Sequence, residues 1–254
     1  MLLSRIIPYD ILEILYPKKK SFDEDRYIMT LIFRRISLPL SYYILAPLKL
    51  SPNVLSILSI LSGILAALFF VIQLYVIGSL MIFLWIIFDC ADGEVARLTD
   101  RKSASGEMLE TLNSNIQYII WLPSIAYGLY AEEMLSVHWV IIAMLSTALY
   151  NVTRKFYGGY PKNNMGEPKN IFMCIIACQF KNMGELREKY SVPSYIYYIW
   201  RNILTQLGVF GPTIFVIAIY DSNLLPIFVS LYALLYLTFS IITFIAICVT
   251  SMII

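Results

Sequence analysis

Residues 54–88 contain no charged side chain, and the run ends at Asp89, Asp92, Glu94 and Arg97. One bilayer crossing takes ~20 apolar residues, so the run is too long for a single helix. The polar interruption at 73–75 divides it into two antiparallel spans joined by a short turn, the second continuing through 89–97. Further apolar stretches follow at about 106–130, 135–152, 202–220 and 225–254. They are parted by the polar turns 131–136 and 221–223 and by a long polar segment at 154–201. The last stretch is the longest and predicts a tilted or overhanging helix.

Ahead of the first span, residues 27–48 mix Ile28, Leu31, Ile32 and Phe33 with Arg34 and Arg35, and the pattern is broken at Pro39 and Pro47. This predicts a helix lying in the membrane interface. Within the long polar segment, residues 171–180 are apolar but too short to cross, which suits an interfacial or folded-back piece. The pattern therefore predicts an all-α polytopic membrane protein with six transmembrane helices preceded by an interfacial amphipathic N-terminal segment. Residues 1–52 form that segment, and 53–254 the transmembrane domain with a cytoplasmic loop at about 154–201.

Composition agrees: 59% of residues are hydrophobic, 14% are charged, and mean hydropathy is +0.72, which excludes an ordinary soluble domain. Placement of charge says more than its total. Every lysine and arginine lies before the first span, between spans two and three, or between spans four and five. The other connections have none, so both termini and the acidic motif are expected on the cytoplasmic side. Arg5, Asp10 and Glu13 interrupt the first apolar residues, unlike a cleaved signal. Cys90, Cys174, Cys178 and Cys248 have no zinc spacing, and His138 falls in an outward connection. Tyr195, Tyr197, Tyr198 and Trp200 suit an interfacial aromatic belt, and nothing points to nucleic acid.

Carboxylates inside an apolar span cost ~2.5–3.5 kcal/mol each on insertion scales, so they face an ion, water or a partner. Asp89 and Asp92, three residues apart, share one side of a helix. Gly93 removes a side chain where a ligand can press against the backbone, and Arg97, two turns beyond Asp89, can fork a phosphate. The next span opens Gly106-x3-Glu110-x3-Ser114, a four-residue ridge with a third carboxylate. Three carboxylates beside a guanidinium suit hard divalent cations holding phosphate oxygens. The competing reading is a buried acid–arginine pair that only sets helix register.

Residues 34–115 resemble the CDP-alcohol phosphotransferase (CDP-alcohol phosphatidyltransferase) family. Its pattern is Asp-x2-Asp-Gly-x2-Ala-Arg-x8-Gly-x3-Asp-x3-Asp, matched in type and spacing by Asp89, Asp92, Gly93, Ala96, Arg97 and Gly106. Ser51-Pro52-Asn53-Val54-Leu55-Ser56 is similar to the Pro-Asn-x2-Thr/Ser opening of many members, and Arg35-Ile36-Ser37 before it is a separate stretch that also resembles the family. The third and fourth aspartates are here Glu110 and Ser114.

The resemblance implies metal-dependent transfer of a phosphoalcohol group from a CDP-alcohol to a hydroxyl acceptor, with release of CMP. It implies one or two Mg2+ (or Mn2+) ions on Asp89, Asp92 and Glu110, with Asn53, Gly93, Ala96, Arg97 and Gly106 along the nucleotide and its diphosphate. It implies CDP-diacylglycerol with a polar alcohol, or a soluble CDP-alcohol with a lipid alcohol, membrane lipids as surroundings, and a homodimer. The fourth position would be metal ligand and general base, and the Ser114 hydroxyl does not accept a proton near neutrality. Glu110 and Glu107 are the acids left for that role, Glu107 also suiting an exposed helix N-terminus, with polarisation by the metal alone as the remaining alternative. Asn113 and Asn115 are about 100° round the helix from Ser114 and offer at most a carbonyl oxygen to a metal. Arg154, Lys155 and Arg201 could meet a phosphate on the acceptor or simply anchor helix ends, and Arg34 and Arg35 suit lipid headgroups. Three functions follow: an active transferase, preferred for its six spaced matches; a non-catalytic family-shaped partner of another enzyme; and a small cation carrier.

Overall fold

The structure, a computed structural model, describes residues 28–101, 103–158 and 210–253, with Ile11 apart from them. All elements among these residues are helical. Helix α1 spans Ile28–Leu40 and passes without interruption into a π turn, Ser41–Leu45. Pro39 therefore does not break the segment as the sequence reading expected. It sits in the last turn of α1, and the helix continues past it into the π turn.

Helix α2, Pro52–Val71, starts where Ser51 is extended and Pro52 occupies the first turn, where a missing N–H costs nothing. Helix α3, Tyr75–Leu98, follows after the turn at 72–74, so the predicted split of the uncharged run is where the chain reverses. Helix α4, Ala104–Ala131, is capped by Ser103, whose side chain accepts from the Gly106 N–H. Helix α5 is Val137–Gly158, helix α6 is Gly211–Tyr220, and α7, Leu225–Ile253, follows a short 3-10 turn at Ser222–Leu224. Residues 171–180, the aromatic group near 195–200, Arg201 and the start of the fifth predicted span lie outside the described residues.

Three helices are long and apolar enough to cross a membrane, Pro52–Val71, Tyr75–Leu98 and Ser222–Ile242, and Val137–Thr153 and Gly211–Tyr220 are shorter apolar helices. By this criterion the chain is an integral membrane protein. Helix α2 shows how its sides are chosen. Ser56, Ser59, Ser62, Gly63, Ala66 and Ala67 are buried, while Leu58, Leu61, Leu65 and Leu68 are exposed. Lipid is as apolar as leucine, so leucine gains nothing by turning inward, whereas small residues let backbones approach. Helix α2 packs on α3 and α4, α3 also on α1 and α6, and α5 on α4 and α7. The main core joins Phe70, Ile82, Trp85, Trp121, Leu129, Tyr150, Phe210 and Tyr236.

Candidate active site

The last three turns of α3 carry the acidic motif, and the helices around them sort its side chains by direction. Asp89 and Asp92 point toward α2 and α4. Asn113 Nδ2 of α4 donates to Asp89 Oδ1 at 2.8 Å, and Ser56 Oγ of α2 donates to Asp92 Oδ2 at 2.6 Å. Glu94 is about 140° round α3 from Asp89 and turns the opposite way, fully buried against α1 and its π turn. There Ser37 Oγ and Ser41 Oγ donate to its two oxygens, each at 2.8 Å. Glu94 is therefore a structural acid that ties α1 to α3 and no part of the Asp89–Asp92 face.

Asn113 is the centre of the polar contact among α2, α3 and α4. Besides Asp89, its amide donates to Ser59 Oγ at 2.9 Å, and its Oδ1 accepts from Trp85 Nε1 at 2.8 Å and from Gln117 Nε2. Ser59 Oγ in turn donates to the Trp85 carbonyl at 3.2 Å. The indoles of Trp85 and Trp121 meet edge to face with centroids 4.9 Å apart, and Trp121 Nε1 donates to the Gly63 carbonyl at 3.0 Å.

On the far side of the acids, the Arg97 guanidinium lies over Gly93, and a Cβ there would meet Nη1 at 3.3 Å. Gly106 plays the matching part on α4: a Cβ would lie 3.3 Å from Asn53 Oδ1 and from Ser103 Oγ. Asn53 Nδ2 donates to Ser105 Oγ at 3.1 Å, so the start of α2 is stitched to the start of α4. Ala96 is half-buried on α3 one residue before Arg97.

The ridge by which α4 meets its neighbours differs from the expected Gly106–Glu110–Ser114. Asn113, Gln117 and Trp121 are the buried residues, while Glu110 and Glu107 are exposed and Ser114 is half-buried. Ser114 Oγ donates back to the Glu110 carbonyl at 2.9 Å, leaving its hydroxyl engaged with its own helix. The role expected of Asn113 also changes, since its carbonyl oxygen is occupied by Trp85 and Gln117 and its amide meets Asp89. Arg34, assigned from the sequence to lipid, is half-buried and within electrostatic reach of Asp89 and Glu94, whereas Arg35 is exposed. Arg154 and Lys155 fall in the last turns of α5, their side chains outside the described residues, as is Arg201.

Asp89 is repelled by Asp92 and Glu110 and attracted by Arg34, while Asp92 is repelled by Glu110 and attracted by Arg97. Crowded carboxylate oxygens of this kind fit a hard divalent cation. Among the described residues no three His, Cys, Asp or Glu side chains converge closely enough to hold an ion by themselves. The fit is thus to a cation such as Mg2+, which takes one or two carboxylates and completes its shell with water and substrate phosphates. From the sequence Ser59 and Glu94 have no site role, Ser56 has only a place in the helix-opening motif, and Asn113 has only a carbonyl oxygen to offer a metal. The serine spacing along α2 was a usable signal, because Ser56 and Ser59 lie on the side of α2 that meets the acids.

A family model described as CDP-alcohol phosphatidyltransferase matches residues 49–209. No curated protein and no solved structure matches the chain.

Proposed function

The chain belongs to the CDP-alcohol phosphatidyltransferase family, and from that premise we propose that it is a working, divalent-cation-dependent transferase at the cytoplasmic membrane face. The family's reaction is transfer of a phosphoalcohol group from a CDP-alcohol in lipid synthesis. The observation that carries the reading is the Asp89–Asp92 pair: both carboxylates lie on one side of α3, and one oxygen of each is engaged by a neutral donor, Asn113 or Ser56.

A bound Mg2+ or Mn2+ supplies neutralisation of the charge that grows on the diphosphate as CMP leaves. Asp89 and Asp92 are the residues that would hold it directly, and Glu110, whose charge both acids feel, would join them through a bound water. Arg97, folded over Gly93, offers a forked pair of N–H donors to phosphate oxygens. Asn53, Ala96 and Gly106 complete the wall along the nucleotide. The acceptor oxygen bonds to the phosphorus bearing the first alcohol, the bond from that phosphorus to the CMP oxygen breaks, and CMP leaves with the electron pair. Glu110 takes the acceptor's proton, with Glu107 one turn earlier as the alternative. Arg154, Lys155 and Arg201 receive any phosphate on the acceptor. Six spans with both termini cytoplasmic, a homodimer, and CDP-diacylglycerol or a soluble CDP-alcohol as donor belong to the same proposal.

One observation favours a second reading, a non-catalytic nucleotide-binding partner of another enzyme: Ser114, at the position of the family's last acid, donates its hydroxyl to the Glu110 carbonyl. The two readings separate in one assay. Purified protein is tested for CMP release from CDP-diacylglycerol and CDP-polyols, with Mg2+ or Mn2+, across a panel of alcohols. The transferase reading expects release that falls at least ~100-fold in Asp89→Asn. No release above that variant, with CDP binding intact, would establish the second reading instead.

A further inference from the structure

We propose that Asn113 is a positioning residue for Asp89, its amide holding Oδ1 so that Oδ2 is the oxygen presented to the cation. The inference rests on the transferase reading above and assigns a part to a residue that lies between the motif positions Glu110 and Ser114.

The argument begins with the hydrogen-bond capacity of one amide. A carboxamide has two N–H donors and two acceptor positions on oxygen. Asn113 is fully buried and uses all four, with Ser59 Oγ and Asp89 Oδ1 as acceptors and Trp85 Nε1 and Gln117 Nε2 as donors. The indole N–H can only donate. A reversed amide would therefore set its NH2 against the indole N–H and its oxygen against the Asp89 carboxylate, losing both bonds. Trp85 is itself held by the edge-to-face contact with Trp121 and by its carbonyl, which accepts from Ser59. The direction of the Asn113 N–H is thus dictated by α2 and α3 together, independently of any ligand.

That direction matters because the terminal torsion of an aspartate is broad and two-fold, so an untethered carboxylate presents its oxygens in many orientations. Among the described residues, Asn113 supplies the side-chain hydrogen bond to Asp89. A neutral donor also has an electrostatic advantage. Asp89 already has Asp92 and Glu110 as repelling neighbours and Arg34 as an attracting one. A further cationic side chain would orient the carboxylate but compete with the ion for it, whereas an amide orients it and leaves its charge available. Partners of metal ligands typically contribute 10–100-fold in metal affinity or activity through this kind of orientation.

The test uses the full chain in detergent, without substrate, and measures Mn2+ binding from the electron paramagnetic resonance signal of free Mn2+. The same preparations are assayed for CMP release against Mn2+ concentration and for thermal midpoint. Asn113→Ala is expected to weaken Mn2+ binding about 10–100-fold. The Mn2+ concentration for half-maximal turnover should rise in parallel, and KM for the CDP-alcohol should change less. Ser59→Ala, which removes the second acceptor of the amide together with the Ser59 bond to the Trp85 carbonyl, is expected to shift Mn2+ affinity in the same direction by a smaller factor. A purely structural Asn113 would lower the thermal midpoint and leave Mn2+ affinity per folded molecule unchanged, which overturns the inference while the transferase reading stands. Wild-type protein that binds no Mn2+ yet releases CMP overturns the inference alone, and wild-type protein that neither binds Mn2+ nor releases CMP overturns both. Should Asn113→Ala fail to fold, Ser59→Ala decides: unchanged affinity counts against the inference, and weakened affinity supports it.

Discussion

Glu94 shows how little a residue type reveals about its part. In sequence it is one more acid in an acidic motif; in the fold its two oxygens accept from Ser37 and Ser41 and hold α1 against α3. Leaving a buried carboxylate without its donors is more damaging than removing the whole set. Ser37→Ala with Ser41→Ala is expected to destabilise the protein by about 3 kcal/mol. Adding Glu94→Met to that pair should recover part of the loss in thermal melts in detergent, and a further drop would refute the buried-clamp assignment. Ser114 poses the opposite case, a missing acid whose place is taken by a hydroxyl bonded to its own helix. If proton removal limits turnover, Ser114→Asp should raise kcat by up to about 100-fold in the CMP assay. Asp89, Asp92, Gly93 and Arg97 were legible in sequence because an acid in an apolar run needs a reason. The part of Asn113 as donor to Asp89 was not, since the sequence offers only its carbonyl oxygen and its four partners come from three helices.

Helix boundaries were harder to read than helix existence. Four helical segments end in the same closure, with Lys49, Gln73, Asp100 and Glu133 at positive φ. The following N–H bonds back to the carbonyl five residues earlier, as from Leu74 to the Phe69 carbonyl at 2.8 Å and from Arg101 to the Ala96 carbonyl at 3.0 Å. Glycine usually fills this position, so the familiar stop signal is missing from the sequence, and polarity alone marked the turns. Glycine is used instead for contact between helices. At Gly128 of α4, a Cβ would fall within the van der Waals envelope of the Phe70 carbonyl of α2. Gly128→Ala is accordingly expected to destabilise the fold by about 1–3 kcal/mol through overpacking. Gly128 lies roughly 22 Å along α4 from Asn113. The Mn2+ requirement of the folded variant should therefore match wild type, and a shift there would contradict the separation of packing from site.

For the whole molecule, the proposed orientation and the proposed cation dependence are each open to a direct experiment. In a cysteine-free background, a cysteine at Ser136 or Ser222 is expected to react with an impermeant maleimide added outside intact cells. One at Ser103 should react only after permeabilisation, and the reverse pattern would invert the topology read from lysine and arginine placement. Chelation of divalent cations should abolish CMP release, with Mg2+ or Mn2+ restoring it; release that survives thorough chelation would remove the cation from the reading.

By itself the sequence determined the membrane class, the reversal between α2 and α3, and the membership that its spaced Asp, Gly, Ala and Arg residues announce. These are local or periodic properties: a solvent-imposed length, a charge where none is cheap, a spacing along one helix. Tertiary structure alone decided which way each polar side chain faces. It sent Asp89 and Asp92 toward α2 and α4 and Glu94 toward α1, and it made Asn113 and Gln117, in place of Glu110 and Ser114, the buried contact of α4. The reason is physical. Inside an apolar bundle a polar group must find its partner across helix interfaces, and which residues meet there depends on the rotation of each helix against its neighbours.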